Sequence, residues 1–147
     1  MKFYNEEIKV RTEKTYHFIN LTDQVKEAVK KSGIKNGLIN VQTLHTTTAI
    51  VVNEDEPLLL QDIERHLERF AEQRLSYHHD NFDIRTKNMC DGECANGHAH
   101  CKAAILPTNA TINLINEEMQ LGQWQQIFAL ELDRSRDRKI QVHIIGE

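Results

Sequence analysis

Apolar side chains fall at every second position from Phe128 to Leu132 and again from Ile140 to Ile144. A period of two places them on one face of an extended strand and turns the residues between them to the other. A sheet buried on one face is the habit of antiparallel strands, so this patterning excludes an all-helical bundle and a purely parallel sheet. The two runs read as arms of a hairpin, Gln123 to Asp133 and Lys139 to Ile145, with Arg134-Ser135-Arg136-Asp137-Arg138 as the turn. Trp124, Phe128, Leu130 and Leu132 line one face of the first arm, and Ile140, Val142 and Ile144 one face of the second.

The rest of the chain supplies partners for that sheet. Tyr4, Glu6, Ile8 and Val10 alternate with Phe3, Glu7 and Lys9, which suits an edge strand. Thr22 is placed to cap a helix that carries Val25, Ala28 and Val29 on one face and leaves at Gly33. Leu38 to Leu44 and Thr48 to Asn53 are rich in β-branched residues and read as two buried strands, or one bent strand, around His45-Thr46-Thr47. Pro57 opens a second helix with Leu60, Ile63, Leu67 and Phe70 along its buried stripe. Asp62 lies round the wheel from that stripe and is either solvated or turned toward a site. Ala110 to Asn116 is a further strand. About seven strands and two main helices, grouped rather than strictly alternating, make an α+β fold with a largely antiparallel sheet or sandwich.

At 147 residues the chain has the length of one domain, and 39% hydrophobic with 27% charged residues is ordinary globular composition. The formal net charge of −4 gives no general attraction to nucleic acid or to an anionic membrane. No apolar run spans a bilayer and the polar start MKFYNEEIKV lacks a signal-peptide core, so a cytoplasmic protein without membrane contact is expected. Three cysteines in such a chain point to thiols rather than to a disulfide framework.

From Ala71 to Ala103 the apolar periodicity disappears, and a loop of that length inside a compact domain is usually functional. Ser76 to Cys101 holds His78, His79, His98 and His100 together with Cys90, Cys94 and Cys101. Imidazole and thiolate are preferred ligands of zinc and similar metals. On an extended segment His98 and His100 share a face, and only one of His78 and His79 points inward. Two arrangements compete: an open three-histidine metal site with carboxylates as bases, or a closed structural site of Cys90, Cys94, Cys101 and a histidine. Cys101 could equally pack in the core. The arginines of the last turn are either solvated or a clamp for phosphate or carboxylate.

Taken in order, His45-Thr46-Thr47-Thr48-Ala49, Asn53-Glu54, Asp62, Tyr77-His78-His79-Asp80, Asn96-Gly97-His98-Ala99-His100, Leu121-Gly122-Gln123-Trp124-Gln125 and Ile144-Ile145-Gly146-Glu147 resemble the YjbQ-like family over essentially the whole chain. Members of that family are called secondary thiamine-phosphate synthases. The resemblance implies one YjbQ-like domain over 1–147, assembled as a homotrimer with its site at or near a subunit boundary. It implies a divalent metal, zinc or magnesium, on His45, His79 and His100. Glu54, Asp62, Asp80 and Glu131 are then the catalytic candidates, and Thr47, Asn53, Trp124, Gln125 and Arg138 the substrate-binding ones. The expected activity joins a pyrimidine pyrophosphate to a thiazole phosphate with loss of pyrophosphate. A metal-dependent hydrolase of a small phosphorylated or carbonyl substrate, and a protein that binds a metal or anionic metabolite without turnover, are the alternatives.

Overall fold

The computed structural model describes residues 1–147. Strands β1 (Lys2–Arg11) and β2 (Phe18–Asn20) precede helix α1 (Thr22–Ser32); β3 (Gly37–Thr43) and β4 (Thr48–Glu54) precede α2 (Pro57–Phe70). A 3-10 turn at His78–Asp80 and helix α3 (Gly97–Ile105) follow, then β5 (Asn109–Ile115), β6 (Glu118–Met119), β7 (Gln125–Glu131) and β8 (Asp137–Gly146). All pairing is antiparallel, in a five-stranded sheet ordered β1, β8, β3, β5, β6 and a three-stranded sheet ordered β2, β7, β4. The α+β class holds, and β1 is an edge strand as its alternation predicts.

The expected hairpin does not form. β7 pairs with β2 and β4, whereas β8 pairs with β1 and β3, so residues 132–136 are an arch between sheets. Burial explains why. β8 hides only alternate residues, but β7 is buried continuously from Ile127 to Glu131. Ile127 and Ala129 face the main core, with Val25, Ile39, Ile50, Val142 and Ile144, while Leu130 faces a second core of Tyr16, Ala49, Leu67, Ala99 and Leu132. A strand covered on both faces belongs in the middle of a sandwich. Trp124 precedes β7 and is 64% exposed, so it is not part of that buried face. β3 and β4 are likewise split between the two sheets, with Leu44 to Thr47 as their crossing.

The helices follow their patterns less closely. α1 buries Val25, Ala28 and Val29 and ends at Gly33 in the left-handed conformation that glycine adopts without strain. Thr22 is not its cap; the Asn20 side chain accepts from the Thr22 N–H, and the Thr22 hydroxyl accepts from the Ile127 N–H of β7. Pro57 does open α2, whose first N–H groups donate to the Glu56 carboxylate. Only Leu67 of its expected stripe is buried, and Phe70 is 53% exposed. The aperiodic stretch contains α3, which has no apolar stripe to announce it. Asp80 builds its start from a distance, one carboxylate oxygen accepting from the N–H groups of both Asn96 and Gly97 at 2.9 Å. Gly97 is required there, because a Cβ would sit 2.5 Å from the Cβ of Tyr77.

Candidate functional site

Both crossings between the sheets lie side by side. The Leu132 N–H donates to the Thr47 carbonyl and the Leu44 N–H to that of Lys139. Between them and the His78–His100 segment opens a cleft of about 1070 Å³, lined by Leu44 to Thr47, His78 and His79, Arg85 to Glu93 in part, Asn96, His100, Arg134, Arg136 and Arg138. Five cationic side chains and two carboxylates are among the lining residues.

A buried ion pair fixes the arch. Glu131 is fully buried and grips Arg138 through two hydrogen bonds of 2.7 and 2.6 Å; Arg138 also donates to the Thr47 hydroxyl at 2.9 Å. Thr12 and the N–H groups of Leu132 and Asp133 complete the Glu131 carboxylate. With both oxygens committed, Glu131 is a positioning residue for Arg138 and the arch, not the catalytic group expected. Asp80 caps α3 through Oδ1 alone.

Beyond the pair, buried Asp133 holds Arg136 at 2.9 Å, Arg134 at 3.4 Å and the Asn96 amide at 3.3 Å. On the opposite wall Arg85 folds its own loop, donating to the carbonyls of His79, Lys87 and Asn88 and facing Glu93 at 3.5 Å. Arg85 and Arg138 are thus committed to Glu93 and Glu131, whereas the cationic groups that keep exposed surface toward the cleft are Lys87 and, anchored on one side by Asp133, Arg134 and Arg136. Sequence reading missed Asn96, Asp133, Arg85 and Lys87 as site residues. Asp133 stands at the end of an apolar run, a weak signal for a turn carboxylate; Arg85 and Lys87 sit where no pattern operates.

The three expected metal-binding histidines are only partly assembled. The rings of His79 and His100 meet at 4.5 Å, nearly edge to face. Burial, then the neighbouring His79, holds His100 below the ordinary imidazole range, and His79 Nε2 is buried without a partner. His45 also lines the cleft, but its Nε2 accepts the Lys139 N–H at 2.9 Å. Burial first, then Arg138, lowers its pKa, so the ring is neutral with its proton on Nδ1. It offers a donor, not a lone pair. No three His, Cys, Asp or Glu side chains converge to hold a metal ion. Within one chain the donor set therefore does not fit a three-histidine centre.

His98, placed beside His100 in sequence, lies on a helix rather than an extended segment and turns inward to Lys102 at 3.1 Å. Fully buried Lys102 also faces Glu68 at 3.4 Å and the Tyr16 ring. All three cysteines are exposed free thiols, and only Cys90 borders the cleft, which removes both the closed zinc site and a core role for Cys101. Asp62 is solvated and paired with Arg65 at 2.6 Å. Asn53 and Glu54 are exposed at the far end of β4, paired with Gln126 and Gln125 of β7. Gln125 borders a separate cavity of about 470 Å³ beside α1. Within one chain, then, Thr47, His45, His79, His100 and Arg138 are gathered, whereas Asn53, Glu54, Asp62, Trp124 and Gln125 are not.

No helix is long and apolar enough to cross a membrane. The model of the family described as UPF0047 protein YjbQ-like matches residues 6–147. A UPF0047 protein of Methanothermobacter thermautotrophicus is 37% identical over 147 residues, covering 100% of this chain and 95% of its own length. One from Archaeoglobus fulgidus is 35% identical, covering 92% and 97%. A Sulfolobus solfataricus crystal structure, described as a YbjQ-like protein of unknown function, superposes with a TM-score of 0.88 at 37% identity, over 99% of each chain. With its whole length matched in sequence and in structure, the chain belongs to the YjbQ-like UPF0047 family.

Proposed function

We propose that the cleft binds a phosphorylated heterocycle and catalyses thiamine-phosphate synthase-like coupling of a pyrimidine pyrophosphate to a thiazole phosphate. The observation that carries this reading is the set of open cations, Lys87, Arg134 and Arg136, around one cleft whose imidazoles His45 and His100 are held neutral. In the reaction the thiazole nitrogen attacks the methylene carbon. A C–N bond forms, the C–O bond breaks, and pyrophosphate leaves with the electron pair. The barrier is charge on the leaving group, which preorganised donors lower most effectively in a partly desolvated site. Arg134 and Arg136, aimed by Asp133, supply such donors, and the His45 Nδ1–H adds a neutral one.

The reading includes a homotrimer in which a neighbouring copy completes the site. It is supported by the exposed apolar side chains Leu58 and Phe70 of α2 and by the group of Asn53, Glu54, Trp124 and Gln125, which lies outside the cleft of its own chain. Incubation of purified protein with both heterocyclic phosphates and magnesium should yield thiamine phosphate and pyrophosphate in equal amounts, lost in Arg134→Ala. Release of phosphate without coupling would favour hydrolysis, and neither product would refute catalysis. Mixed oligomers of the His100→Ala and Glu54→Gln variants should regain activity that each lacks alone.

A further inference from the structure

Cys90 and Cys94 flank a single turn, and both are exposed free thiols. The turn at Asp91 and Gly92 is closed by the Glu93 N–H, which donates to the Cys90 carbonyl at 3.2 Å, and Gly92 supplies the positive φ of 72° that such a turn favours. The Glu93 carboxylate returns the bond, accepting from the Cys90 N–H at 3.0 Å. The Cys94 thiol donates to the Gly92 carbonyl at 3.6 Å, so it is folded back over the turn that Cys90 opens. A closed turn brings its first and fourth Cα atoms, here Cys90 and Glu93, within about 7 Å, and Cys94 is the next residue; a disulfide needs Cα atoms about 4.4–6.8 Å apart. The turn is also tied to the cleft. Glu93 faces Arg85 at 3.5 Å in a largely buried pair, and Arg85 donates to the carbonyls of His79, Lys87 and Asn88 along the same wall.

We propose that Cys90 and Cys94 are a modification site, a dithiol that hydrogen peroxide converts to a disulfide and that thereby locks this wall of the cleft. One thiol attacks the peroxide as its thiolate; the O–O bond breaks, a sulfenic acid forms and one water leaves. The second thiol attacks that sulfur, the S–O bond breaks, the S–S bond forms and a second water leaves. The two thiols together give up two electrons and two protons, and the peroxide is reduced to water. An accessible thiol with no resolving partner is instead carried on to the sulfinic acid, so the second cysteine on the turn decides the product. The new bond closes a ring around the turn that holds Glu93 against Arg85. Oxidation therefore restrains the Arg85 to Glu93 segment, whatever the cleft binds. Cys101, exposed on α3 and outside the turn, takes no part.

The test treats reduced, reductant-free Cys101→Ser protein with hydrogen peroxide and follows it by intact mass and thiol titration. Both remaining thiols should disappear together, the monomer should lose the mass of two hydrogens, and dithiothreitol should restore it. Cys90→Ser and Cys94→Ser in the same background should gain oxygen and form no internal disulfide. Gain of oxygen on sulfur in the two-thiol protein, or a disulfide formed only between chains, would overturn the proposal. Trypsin reads the wall, because Lys87 lies on the restrained segment. Cleavage after Lys87 should slow by about tenfold in the disulfide form, the order set by the loop-closure entropy of so small a ring, and recover with dithiothreitol. The peroxide-treated single-thiol variants should keep the fast rate. A disulfide that forms and leaves cleavage unchanged would overturn the lock on the cleft wall.

Discussion

Replacing Glu131 by glutamine tests whether one buried ion pair organises the cleft. The carboxylate accepts five hydrogen bonds, from the Thr12 hydroxyl at 2.9 Å, the N–H groups of Leu132 and Asp133 at 3.1 and 2.9 Å, and Arg138 at 2.7 and 2.6 Å. Donors surround both oxygens, so whichever end of a glutamine carries nitrogen points N–H at N–H. Arg138, 4% exposed, then keeps its charge without a counter-ion. Removing one partner of a buried pair destabilises by about 3–5 kcal/mol. At about 3 °C per kcal/mol for a domain of this size, the melting temperature of Glu131→Gln should fall by about 10–15 °C. Urea unfolding followed by circular dichroism measures the free energy directly. Adding Arg138→Met removes the orphaned charge and should recover at least ~1 kcal/mol, a non-additivity expected only of coupled groups. A loss below ~1 kcal/mol for Glu131→Gln, or strict additivity in the double variant, would refute the assignment of Glu131 as the anchor of the arch.

The cap supplied by Asp80 to α3 should contribute about 1 kcal/mol, so Asp80→Ala lowers urea stability by that amount; a change within error would mean that the start of α3 is held by packing alone. Burial depresses His98 and His100, with Lys102 and His79 as the respective second causes, and depresses His45 together with Arg138. The unfolded chain takes up these protons below pH ~6.5 and the folded chain does not, so the melting temperature should drop on acidification through that value and level off once the depressed pKa values are passed. A flat or rising profile between neutral pH and the onset of carboxylate titration contradicts this, and His98→Gln should make the slope shallower. Because the His45 lone pair holds the Lys139 N–H and no three donors converge, His45→Ala and His100→Ala should each leave zinc affinity within about threefold of the wild type. Larger losses in both variants, measured by competition with a chromophoric chelator, would restore a three-histidine centre.

Local pattern made the strands readable and left their assignment to sheets hidden. Alternation in β8 and the edge character of β1 follow from which residues can be covered, and Gly33 marks the end of α1 through its own conformational freedom. The arch after β7 had no such mark. A run with Phe128 and Leu130 on one side and Ile127 and Ala129 on the other fits a hairpin arm and a central sandwich strand equally well. Only the second core beneath Leu130 and Leu132, contributed by Tyr16, Leu67 and Ala99 from three distant segments, decides between them. α3 was hidden for a related reason, since its cap comes from Asp80 and its close approach from Gly97 against Tyr77.

That same ambiguity separates the parts of the site that were legible from those that were not. His45, His79, His100 and Arg138 carry distinctive chemistry in a recognisable order, and the cleft gathers them. Arg134 and Arg136 read as turn residues because a hairpin end faces solvent. In an arch the chain between β7 and β8 passes along the end of both sheets, against the neighbouring crossing at Leu44 to Thr47, so the same arginines face a cleft. A carboxylate at Asp133 is tolerable on an exposed turn for trivial reasons; at an arch it is buried and must be answered, and Arg134, Arg136 and Asn96 answer it. The conversion of an ordinary charged turn into a cationic wall of the cleft therefore follows from strand pairing rather than from the residues of the turn. A relative with the arch residues intact but the crossing at Thr47 altered would be expected to lose the wall, because Arg138 takes its third hydrogen bond there.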